Sequence, residues 1–238
     1  MAIAVEASAE PQEALNTTTH DITMPIGVSS GDLLIAIAVI DGSTGTVTKP
    51  TGWTDIGNVV NTGVVRIYAW YKIAGASETD TTFATSASEE SASVVIRISG
   101  HDASTTPPEI QTISGGADTG AHDPPSISPS WGSAESLFIA VAGVDNSGQP
   151  GAVSSGYTQL SLTSTGGSGG VGIGACYKIT TASAENPGTM SNPSGDQWAA
   201  VTIAVKPGGV VVPDLTPFDP SMYGQPDDSE ALGDTIAY

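Results

Sequence analysis

The sequence predicts an all-β chain: two tandem jelly-roll-like antiparallel β-sandwiches from an internal duplication, followed by an extended C-terminal arm. Three observations predict it: an internal repeat, short apolar segments bounded by turn residues, and an abrupt change of composition after Lys206. The units that follow are residues 1–103, 104–206 and 207–238.

The first copy opens at His20-Asp21 and the second at His122-Asp123, an offset of 102. Leu33, Ala36 and Asp41 then match Leu137, Ala140 and Asp145, as Gly52-Trp53-Thr54 match Gly156-Tyr157-Thr158, at 104. Tyr71-Lys72-Ile73 match Tyr177-Lys178-Ile179 at 106, and Val94, Ile96 and Ile98 match Val201, Ile203 and Val205 at 107. The offset grows only in steps between apolar segments, where loop insertions are tolerated. Each copy carries a long apolar segment (Leu33 to Ile40; Leu137 to Val144) and an aromatic, β-branched segment (Val64 to Ile73; Val171 to Ile179). Each closes on an alternating segment (Ser93 to Ile98; Ala200 to Val205) whose period of two marks a half-buried strand. Asp-Gly, Asn-Thr-Gly and Pro-Thr-Gly clusters between them mark turns. Such strands pack as two sheets face to face, either as one sandwich per copy or with both copies interleaved in a larger one.

Residues 207–238 hold five prolines, six acids and no Lys or Arg, so they cannot build a core of their own. Val210, Val211, Val212, Leu215, Phe218 and Tyr223 supply apolar anchors, and the segment is expected to dock as an assembly arm.

Composition narrows the function classes. With 6 Lys+Arg against 25 Asp+Glu the net charge is −19, which repels phosphate backbones and anionic lipid, so neither nucleic acid nor membrane is an expected partner. The only cysteine, Cys176, cannot form an internal disulfide and reads as a small buried residue. The N-terminus lacks a basic flank and a long apolar core, and no apolar run approaches the roughly 18 residues of a membrane span. Cytoplasmic synthesis without a signal peptide is expected.

The candidate motifs all have plain structural readings. His20-Asp21, His101-Asp102 and His122-Asp123 lack the helical setting and the additional ligands of a metal-dependent hydrolase. Gly27-Val28-Ser29-Ser30-Gly31 and Gly166-Gly167-Ser168-Gly169-Gly170 spell a nucleophile elbow but lead into strands, not helices. Gly170-Val171-Gly172-Ile173-Gly174 lacks the helix and distal acid of a dinucleotide site. The equivalent loops that begin at Asp41 and Asp145 offer oxygen ligands without an EF-hand spacing, so turn chemistry is the expectation. Trp53 and Tyr157 are equivalent aromatics that would either close the sandwich core or, if exposed together at one tip, bind glycan. No catalytic residue, metal ligand or cofactor is expected.

Gly31-Asp32-Leu33-Leu34-Ile35-Ala36, then Pro50-Thr51-Gly52-Trp53-Thr54, Trp70-Tyr71-Lys72-Ile73-Ala74 and the closing Val95-Ile96-Arg97-Ile98-Ser99-Gly100 together resemble a recurring pattern of phage and prophage structural proteins. The pattern also resembles segments of large bacterial surface proteins. It covers residues 20–103 and, faintly, 122–206, where Gly-Asp gives way to Glu135-Ser136 and Trp53 to Tyr157. The resemblance implies a β-sandwich in a virion or on a surface and transfers no catalytic residue. The expected role is that of a non-enzymatic bacteriophage virion protein, most simply a capsid decoration or cement protein. Its partners would be the major capsid protein or further copies of itself, as a homo-oligomer. A receptor- or glycan-binding module of a tail fibre or adhesin is the alternative.

Overall fold

The computed structural model describes residues 1–42, 45–61, 64–115, 121–145, 148–166, 169–191 and 196–209. The proposed anchors Val210, Val211, Val212, Leu215, Phe218 and Tyr223 lie outside the described residues. Twelve strands make up the described chain: β1 (Ala4–Ala9), β2 (Gln12–Ile22), β3 (Leu33–Asp41), β4 (Val47–Thr48), β5 (Thr54–Asn61), β6 (Val65–Ile73), β7 (Thr81–Ser99), β8 (Glu109–Ser114), β9 (Ala134–Asp145), β10 (Thr158–Ser164), β11 (Val171–Ala182) and β12 (Trp198–Val205). The described residues include no helix, and so none long and apolar enough to cross a membrane.

Two antiparallel sheets result. The first runs β1-β7-β3-β6-β5, with β2 and β4 also paired to β7, and the second runs β10-β11-β9-β12-β8. Matching positions occupy matching rungs. Leu33 pairs Ile73 and Ile98, as Leu137 pairs Ile179 and Val205. Ile35 pairs Tyr71 and Ile96, as Ile139 pairs Tyr177 and Ile203, and Val39 pairs Ile67 and Ala92, as Gly143 pairs Ile173 and Ala199. Even the bulge recurs, between Asp55 and Gly57 on β5 and between Gln159 and Ser161 on β10. The turns leading into these edge strands agree too: Gly52 (φ 82°) and Gly156 (φ 79°) take the left-handed conformation that a turn of this kind requires. Trp53 and Tyr157 then each donate a backbone N–H, to the carbonyls of Pro50 and Ser154, at 3.2 Å.

Both central strands are apolar on both faces, because both faces of each sheet are covered. Along β3, Leu33, Ile35, Ile37 and Val39 enter the largest apolar cluster, whereas Leu34, Ala36, Ala38 and Ile40 join Ile22, Trp53, Trp70 and Phe83 on the opposite side. Along β9, Leu137, Ile139 and Val141 enter that same large cluster, while Phe138, Ala140, Ala142 and Val144 point outward toward Ile127, Cys176, Met190 and Trp198. This accounts for the continuous apolar runs where a half-solvated antiparallel strand would alternate.

The tandem expectation needs correcting here. The largest core lies between the two copies and not inside each, so the copies stand back to back as the two sheets of one sandwich. The chain completes one five-stranded layer before starting the next, whereas a jelly roll passes repeatedly between its sheets. The outer covers differ. Over the first sheet, the first half of the bent strand β7 pairs with β2 and β4. Over the second, two isolated bridges, His122 to Met190 and Ile127 to Glu185, do the same work.

Candidate functional site

The two sheets meet so that equivalent residues touch each other. A β-carbon added to Gly143 would stand 2.5 Å from a methyl carbon of Val39, its counterpart on β3. Two residues on, the carboxyls of Asp41 and Asp145 are hydrogen-bonded to one another. A residue in contact with its own equivalent lies on the axis relating the copies, so a pseudo-dyad passes between the ends of β3 and β9. Away from the axis, β5 of the first sheet lies against β8 of the second, and β10 against β7.

Around this axis lies a buried polar group of residues. Arg66 on β6 is 1% exposed; its Nη2 donates to Glu89 Oε1 at 3.3 Å and to the Asp41 carbonyl at 3.4 Å, and its Nη1 to the Gly45 carbonyl at 3.1 Å. The Gly42 N–H donates to Asp41 Oδ1 at 2.7 Å. Burial, with the Asp145 and Glu89 carboxyls beside it, pushes Asp41 up to about 6 despite that hydrogen bond. Burial likewise raises Glu89, against the attraction of Arg66. On β2, His20 is fully buried, stacked on Phe83 at 4.6 Å, with Nε2 2.9 Å from the Thr85 hydroxyl and Nδ1 3.0 Å from that of Ser91. The Thr85 hydroxyl donates to the Ala87 carbonyl at 2.7 Å, so its oxygen accepts from Nε2–H and Ser91 donates to Nδ1. Burial, reinforced by Arg66, lowers His20 to about 4, so at neutral pH the ring is uncharged.

The other candidates are dispersed. The His101 ring donates from Nε2 to the Gly31 carbonyl at 2.9 Å and accepts the Ala103 N–H at Nδ1, joining two loops. Asp102 accepts from the Thr105 hydroxyl and pairs with Lys206 at 2.9 Å; together these hold its carboxyl below the usual range. Asp21 and Asp123 are exposed beside fully buried His20 and His122. Ser29 donates to the Gly27 carbonyl within its own turn, and Ser168 lies outside the described residues. Cys176 is fully buried, and that burial pushes its thiol up to about 12. Among the described residues, no three His, Cys, Asp or Glu side chains are grouped to hold a metal ion.

Trp53 is 4% exposed, in the outer cluster of the first sheet. Tyr157 is half-buried in the outer cluster of the second; its hydroxyl donates to Glu185 Oε1 at 3.1 Å, and burial holds its phenol well above the ordinary value. The two rings therefore sit on opposite sides of the molecule and share no tip. Each of the chain's six Lys and Arg residues is ion-paired with an acid: Lys49 with Asp55, Arg66 with Glu89, Lys72 with Glu78, Arg97 with Asp32, Lys178 with Glu185 and Lys206 with Asp102.

Compared with known protein families, with curated proteins and with solved structures, the chain matches none. The residues carry the argument alone.

Where the chain reaches Gly209, a groove of about 560 Å³ is lined by Met1, Ala2, Ile3, Pro207, Gly208 and Gly209, with Glu135 as its one charged neighbour. The strand-like addition of Pro207 beside His101, and the 2.7 Å hydrogen bond from the Gly208 N–H to the Gly100 carbonyl, fix this exit point.

Proposed function

We propose that this chain is a non-enzymatic structural protein of a bacteriophage virion surface, a capsid decoration or cement component. In this reading a duplicated unit supplies the two sheets, and residues 207–238 form the arm that engages the capsid protein or further copies. The observation that carries the reading is the build itself: each sheet is covered on both faces, and the groove beside the exit of the C-terminal segment is apolar, a surface for contact and not for turnover. The matching rungs and the repeated bulge support the duplication. The −19 charge and the pairing of all six cations within the chain favour a partner that does not depend on this chain for basic groups. The glycan-binding alternative finds less support, since Trp53 offers no open ring face.

The test is removal of residues 210–238, which leaves the anchored turn at Pro207 and Gly208 intact. The expected result is an unchanged unfolding transition together with reduced occupancy on particles carrying the protein. Undiminished occupancy would reject the arm.

A further inference from the structure

We propose that Asp41 and Asp145 form an acid latch: one proton shared between the two carboxyls ties the ends of β3 and β9 together across the pseudo-dyad, and its loss loosens that end of the sandwich. Two ionised carboxylates offer acceptors only, so the hydrogen bond between these side chains requires one of them to carry the proton and donate. The packing beneath keeps them together. Val39 fills the space that a side chain at Gly143 would need, so the two strand ends approach closely just before the acids, and the carboxyls cannot separate without backbone movement.

The surroundings leave the pair short of positive charge. From β7, Glu89 adds a third carboxyl. From β6, Arg66 supplies the nearby cation, but its guanidinium is shared among Glu89 and the carbonyls of Asp41 and Gly45. From β2, His20 also feels Arg66 and is neutral in the fold. The Asp145 N–H is taken by the Gln197 carbonyl at 3.0 Å, which fixes the backbone of the second acid. Asp41 titrates near 6 in the fold against 3.8 in the free residue, so the fold binds the extra proton between those values. The stability this gives is present below 3.8 and is lost as pH rises through about 6. The two acids titrate as one unit.

His20 acts in the opposite direction over an overlapping range, so the pH profile of the intact protein alone does not isolate the latch. The difference between proteins does. Thermal unfolding would be followed from pH 4 to 7.5 for the full chain, for Asp41→Asn and for Asp123→Asn, an exposed acid that controls for the lost charge. The latch predicts that the Asp41→Asn protein gains in midpoint relative to the parent as pH rises through 6, while the Asp123→Asn difference stays flat. A second readout needs no variant: carboxyl carbon resonances of the full chain should show Asp41 and Asp145 moving together with a midpoint near 6. A flat Asp41→Asn difference, or independent titration of both carboxyls below about 4.5, in the range of unperturbed acids, would overturn the proposal.

Discussion

His20 is where a sequence motif and its physical role diverge most. The neighbouring aspartate suggests metal chemistry, but the ring is fully buried, stacked on Phe83, and satisfied at both nitrogens by Thr85 and Ser91. Its folded value is depressed, so the stability it gives is present above its ordinary 6.5 and is lost as pH falls toward 4, amounting to up to about 3 kcal/mol. Replacing His20 by alanine should cost roughly 2–4 kcal/mol in urea unfolding at pH 7, and less at pH 4.5, where the parent must protonate the ring or expose it. An equal loss at both pH values would show that the ring is not held neutral. Trp53 makes a matching case: as a core residue, Trp53→Ala should lower stability by roughly 3–5 kcal/mol. A loss below about 1 kcal/mol in the same unfolding measurement would place the ring at the surface instead.

At the scale of elements, the apolar segments were readable because their chemistry is local. Leu33 to Ile40 and Leu137 to Val144 became β3 and β9, and the alternating Ser93 to Ile98 became the second half of β7. The polar first half of β7, rich in Ser, Thr and Ala, carries no comparable signal; it is a strand because β2 and β4 pair with it over Trp70 and Phe83. The Asp41 and Asp145 loops were legible as equivalent acidic turns, but their contact was not, because it depends on where one sheet crosses the other. The Val39–Gly143 contact sets that crossing. Gly143→Ala should destabilise by roughly 1–3 kcal/mol through overpacking, and the loss should shrink when Val39→Ala is added. Strict additivity of the two changes in unfolding measurements would mean that the sheets do not meet there.

At the scale of the whole molecule, the repeat told how many units to expect but not which faces they bury. A run such as Leu33 to Ile40 is apolar on both sides, and nothing in its periodicity says that one side meets an outer cover and the other a second copy. The structure assigns the larger surface to the second copy, so neither half retains its main core alone. The most direct test of this account is calorimetry of the full chain, with Ile35→Ala and Ile139→Ala as probes in the two sheets, since both side chains enter the shared cluster. The account predicts a single transition, with equal calorimetric and van't Hoff enthalpies, that either substitution moves as a whole. Two transitions, with Ile35→Ala shifting one and Ile139→Ala the other, would contradict it.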